Sequence, residues 1–90
     1  MKILLITYGI DLTSRQSSEF YTILKSASAW WHYLPSAWLI QTTETPHDWF
    51  KKLAPIMNKS DRLLIVEIKN NYFGWLPKEA WDWIEKAFKT

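Results

Sequence analysis

Apolar residues occupy Ile3 to Ile6 without a break, continue past Thr7 to Tyr8, and stop at Gly9. A run of this length, rich in β-branched types and closed by glycine, predicts a strand. The polar stretch "DLTSRQSSE" follows, with Ser17 or Ser18 placed to cap a helix. Phe20, Ile23, Leu24 and Ala27 then recur at i, i+3, i+4 and i+7, which gives that helix one apolar face. The periodicity fades at "SASA".

Next comes "AWWHYLPSAW", Ala29 to Trp38. A continued helix would carry Pro35 in its interior, at a cost of about 3 kcal/mol. Two strands fit better: Trp30–Leu34, a tight turn at Pro35-Ser36, then Ala37–Thr43. In the first strand Trp31 and Tyr33 share a face, opposite Trp30, His32 and Leu34. In the second, Trp38 and Ile40 oppose Leu39 and Gln41. Aromatic residues favour strands, and facing aromatic pairs stabilise a hairpin by about 0.2–1 kcal/mol each.

Thr45 then stands as an N-cap with Pro46 at the first helical position. Trp49, Phe50, Leu53 and Ile56 form the stripe of this second helix, which Pro55 ends or kinks. "DRLLIVEIK" predicts a second central-looking strand, "NNYFGW" a loop, and Leu76-Pro77 the opening of a last helix with Trp81, Ile84, Ala87 and Phe88 on one face.

Strand, helix, strand, strand, helix, strand, helix is the ferredoxin-like βαββαβ plan with one addition: an α+β domain spanning 1–90, its sheet four-stranded and antiparallel. Two helices leave one sheet face bare. Yet Ile3–Tyr8 and Leu63–Ile68 are apolar at both parities, where a wetted face would impose alternation. The last helix or another copy of the chain must cover the second face.

Composition narrows the functional classes. Ninety residues allow one domain, and 48% hydrophobic with 17% aromatic residues supply more apolar surface than one small core needs. Eleven basic against nine acidic residues leave a net charge of +2, which permits nucleic-acid contact without arguing for it. Zero cysteines exclude disulfides and thiolate chemistry. The N-terminal apolar run is too short for a signal peptide or a membrane span, so a cytoplasmic protein is expected.

Trp30-Trp31-His32-Tyr33-Leu34 with Ser36, Trp38 and Ile40, the later "SDRLLIVEI", and Gly74-Trp75 with Trp83 together resemble a known group. They are similar to SinR-like small bacterial and phage proteins, relatives of the CRISPR adaptation subunit (the Cas-two family). The resemblance covers nearly the whole chain, and its specific part is the hairpin. It implies a ferredoxin-like homodimer in a mobile-element, phage or phage-defence context. Members usually follow the first-strand aromatic with an aspartate held to bind metal. Here Tyr8 is followed by Gly9, with Asp11 two places further on, and Pro35 stands where the hairpin turn often has aspartate.

Chemistry is sparse. Asp11 is the catalytic candidate, as a magnesium ligand in a symmetric dimer, against the alternative of a loop carboxylate bonding backbone amides. His32 is expected to be packed, with a ring nitrogen bonded to backbone or water. Asp48 complements a helix start. No Gly-rich phosphate loop or nucleophile motif is present. Arg15, Lys25, Lys51 and Lys52, with Lys69 and Lys78, are candidate phosphate contacts beside aromatics on which bases could stack. Tyr8, Trp30, Trp31, Tyr33 and Trp38 are expected to fill the core and a subunit interface. The expected function is a non-catalytic dimeric binding protein for nucleic acid or protein, with no cofactor and no membrane partner. Two alternatives stand beside it: a magnesium-dependent endonuclease or endoribonuclease, and a pure protein-interaction module such as an inhibitor or antitoxin.

Overall fold

A computed structural model describes residues 1–10 and 14–89 of the chain. Its elements are β1 (Lys2–Gly9), α1 (Ser14–Leu24), β2 (Ala29–Leu34), β3 (Ala37–Thr42), α2 (Pro46–Leu53), a 3-10 turn over Ala54–Ile56, β4 (Arg62–Glu67) and α3 (Lys78–Phe88). The four strands are antiparallel neighbours in the order β2-β3-β1-β4. This is the ferredoxin-like α+β fold expected from the order of elements, with α3 added.

Alternation along the central strands sorts the two faces. Leu4, Ile6 and Tyr8 of β1 and Trp38 and Ile40 of β3 point toward α1 and α2, and pack with Phe20, Leu24, Trp49 and Leu53. Ile3 of β1, Leu39 of β3 and Trp31 of β2 point the other way, against Ala80, Ile84 and Ala87 of α3. The last helix therefore covers part of the second face, and this accounts for the lack of alternation in β1. Strand β4, central-looking from its apolar run, lies instead at the sheet edge, and none of its residues is fully buried.

The ends of α2 are made locally. The Thr45 hydroxyl accepts from the Asp48 N–H (3.1 Å), and the Asp48 carboxylate accepts from the Thr45 N–H (3.0 Å). Hydrogen bonding from the Thr45 backbone N–H, and then from the Thr45 side chain, holds the Asp48 carboxyl below the usual aspartate range. Pro46 opens the helix, and Pro55 sits in the 3-10 turn that closes it. Among buried polar groups, the Thr42 hydroxyl accepts from Trp49 Nε1 (3.2 Å) and from the Glu44 N–H (3.1 Å).

Three further sequence expectations are corrected. Helix α1 begins by Ser14, so Ser17 and Ser18 lie inside it rather than capping it. Tertiary bonds hold that first turn: Gln16 Nε2 donates to Asp61 Oδ2 (2.6 Å) and to the Ile56 carbonyl (3.1 Å), and its Oε1 accepts from Asn58 (3.0 Å). Such bonds offset the modest helix propensity of a serine-rich start. Phe50 is exposed, because Trp49 and Leu53 occupy the buried face and Phe50 stands about 100° further round. Finally, β2 carries a bulge. Trp31 pairs with Leu39 but Leu34 pairs with Ala37, so His32 and Tyr33 together oppose Trp38. The extra residue moves Leu34 from the His32 side to the Trp31 side of the sheet.

Candidate interaction surface

The aromatic-rich hairpin builds two separate clusters, one on each face. Trp38 is the hub of the first. Its indole N–H donates to the Tyr8 hydroxyl at 3.0 Å. His32 stacks on it with ring centroids 4.4 Å apart and Tyr21 at 5.6 Å, and Trp30 lies tilted at 5.1 Å. Burial, reinforced by the hydrogen bond to Tyr21, pushes the Tyr8 hydroxyl above the ordinary tyrosine range, while the Trp38 N–H pulls it the other way. His32 donates from Nδ1 to the Ala37 carbonyl (3.1 Å), so its ring is engaged by the hairpin itself.

The second cluster lies on the α3 side. Trp31 is 3% exposed and packs against Tyr33 at 5.2 Å. It forms the floor of a groove of about 430 Å³, with Leu5, Leu34, Leu39 and Ile68 beside it and Trp81 and Ile84 of α3 opposite. Residues 68–77 join β4 to α3 without regular structure and form the rim. Tyr72 stacks on Trp81 (6.0 Å) and Phe88 (5.7 Å), which fastens the segment to α3. Phe73 and Trp75 are 102% and 98% exposed. Among the described residues no charged side chain lines the groove. The Trp31 indole N–H is buried and has no partner among the described residues.

The cationic candidates do not converge. Lys25 follows α1 and its Nζ stands 5.5 Å from the centroid of half-exposed Trp30. Lys51 and Lys52 close α2. Lys52 is paired with Glu44 and lies over the Trp49 ring at 4.2 Å. Lys69 pairs with Glu67 at 3.6 Å and Lys78 with Asp82 at 3.2 Å. Arg15 belongs to the first turn of α1, but its side chain, like all of Asp11, lies outside the described residues.

At the end of β1, Tyr8, Gly9 and Ile10 supply no carboxylate, and the cross-strand partner of Gly9 is Arg62. The Arg62 guanidinium turns to the Ser60 and Asp61 carbonyls (3.3 and 3.0 Å), and Tyr8, Gly9 and Ile10 offer no carboxylate to the metal the resemblance implies. Among the described residues no group of three or more His, Asp or Glu side chains is placed to hold a metal ion. No helix among them is long and apolar enough to cross a membrane.

Of the aromatics singled out from the sequence, Tyr8, Trp31 and Trp38 are buried, and Trp30 and Tyr33 are about half exposed. Sequence reasoning named Trp75 and Leu34 only among the residues that carry the resemblance, and assigned no site role to them or to Phe73. The signal for the first two was present: three aromatics in "YFGW" between turn formers, with no helical or strand period to bury them. Leu34 depends on the bulge, which has no sequence signature. Neither protein-family models, nor curated proteins, nor solved structures yield a match to this chain. Its kinship is described at the level of fold: a small βαββαβ protein with a four-stranded antiparallel sheet.

Proposed function

We infer that the protein is a non-catalytic binding module that works as a homodimer, of the Cas-two-like type its hairpin resembles. One observation carries this reading. An uncharged aromatic groove is left open beside α3, and two fully exposed aromatic side chains stand on its rim. Tryptophan, tyrosine and phenylalanine are enriched in interface cores, from which charged residues are depleted. Among the described residues no lysine or arginine lines the groove, which favours a protein surface over a phosphate backbone as its occupant. Gly9, standing where the resemblance leads one to expect an aspartate, supports a binding role over metal-dependent cleavage. Light scattering across micromolar concentrations tests the reading. A dimer is expected, and a monomer throughout would refute it.

A second reading has its own support at the outer edge of the hairpin. Lys25 over half-exposed Trp30 offers a cation and a ring face together, as single-strand binders do. A gel shift with single-stranded DNA and RNA tests it. Binding that weakens with added salt and is lost in Trp30→Ala would make nucleic acid the partner of the dimer.

A further inference from the structure

We propose that two copies join by a reciprocal exchange in which Phe73 and Trp75 of each enter the groove of the other. This rests on the dimer reading above and assigns it a surface. Knob and groove belong to the same patch: the rim segment that carries Phe73 and Trp75 also walls the groove floored by Trp31. A two-fold axis beside such a patch seats both knobs at once, as an isologous contact requires.

The area suffices. Enclosed aromatic side chains bury about 150–250 Å² each, so the two knobs account for about 300–500 Å² per copy. The walls they enter lose a similar area, which brings the sum near the roughly 800 Å² per partner of a standard interface. Tyr33 and Leu34, at 46% and 42% exposure, extend the same face.

A small apolar ligand would fill the groove and still leave Phe73 and Trp75 in water. A nucleic acid would find no cation in the groove lining among the described residues.

The chain has no cysteine, so single-cysteine variants report one contact each. Trp75→Cys and Leu34→Cys, mixed and oxidised, are expected to give a disulfide-linked heterodimer, because the knob of one copy meets the groove wall of the other. The double variant Phe73→Ala/Trp75→Ala is expected to keep its circular dichroism spectrum while dimerising about 30-fold more weakly, or worse, the scale of losing one hot-spot aromatic. A dimer that ignores the double variant and gives no cross-link would overturn the exchange and leave the dimer reading standing. A wild-type monomer at all concentrations would overturn both. A monomer whose groove takes up Nile red, with Leu34→Trp abolishing the uptake, would overturn the exchange in favour of a small apolar ligand.

Discussion

Trp38 and Tyr8 face the same core from adjacent antiparallel strands, and the indole N–H of one donates to the hydroxyl of the other at 3.0 Å. Both groups are buried, so neither has water to fall back on. Tyr8→Phe keeps the ring and strands the Trp38 N–H. Leaving such a donor unsatisfied costs about 1–3 kcal/mol. Urea denaturation of Tyr8→Phe, Trp38→Phe and the double variant is expected to show non-additive losses, because the second substitution removes the group that the first left unpaired.

The same pair sets an alkaline limit. The folded Tyr8 hydroxyl titrates above its unfolded value of about 10. The neutral, buried form therefore stabilises the fold fully below pH 10. That stability declines as pH rises past the unfolded value, because the unfolded chain then releases a proton that the folded chain keeps. Thermal melts from pH 8 to pH 11 are expected to show a falling Tm, with a shallower fall in Tyr8→Phe.

The start of α2 gives the acid counterpart. Asp48 is held below the usual aspartate range by the Thr45 backbone and side chain. Its contribution is present above the unfolded carboxylate value of about 3.9 and is lost as pH falls through the lower folded value. Thr45→Ala is expected to cost about 0.5–2 kcal/mol at neutral pH, read by denaturant midpoint. Asp48→Ala is expected to flatten the loss of stability between pH 5 and pH 2.

Neighbouring tryptophans of the hairpin differ in kind. Trp31→Ala empties a buried site against α3, a change that typically costs about 3–5 kcal/mol, a large share of the total stability of a small domain. Trp30→Ala removes a half-exposed ring that leans on Trp38 at 5.1 Å, a contact on the order of 0.5–1.5 kcal/mol. Melting curves that place the two variants together would contradict the assignment of Trp31 to the second core.

Nuclease activity with magnesium or manganese is expected to be absent on DNA and RNA. Steady turnover by the wild type, abolished in Asp11→Ala, would show that this carboxylate serves in place of the missing aspartate after Tyr8.

The fold was legible because its signals are local. Thr45-Pro46 marks a helix start by cap chemistry, Pro35 forbids a helix through the hairpin, and Ile3–Tyr8 is too apolar for a wetted strand. The interaction surface was less so, for two physical reasons. The side-chain period of a strand is two, so the single bulge between Trp31 and Leu34 reverses the face of every residue beyond it. Exposure of Phe73 and Trp75 depends on where residues 68–77 run over α3, which follows from stacking of Tyr72 on Trp81 and Phe88 rather than from any repeat. Apolar residues at both parities of β4 suggested burial that an edge strand does not provide.

Helix α3 joins no strand ladder; side chains hold it to the sheet, with Gln41 Nε2 reaching the Ala87 carbonyl at 3.3 Å. Its landing surface consists of Ile3, Trp31 and Leu39, from three strands that become neighbours once β1, β2 and β3 have paired. In time, then, α3 is expected to come last: its landing surface exists once the sheet has formed, and it can leave without breaking a strand pair. Amide hydrogen exchange through such departures would be faster along α3 than along β1, and would unmask Trp31, Ile3 and Leu39 together as one cooperative opening.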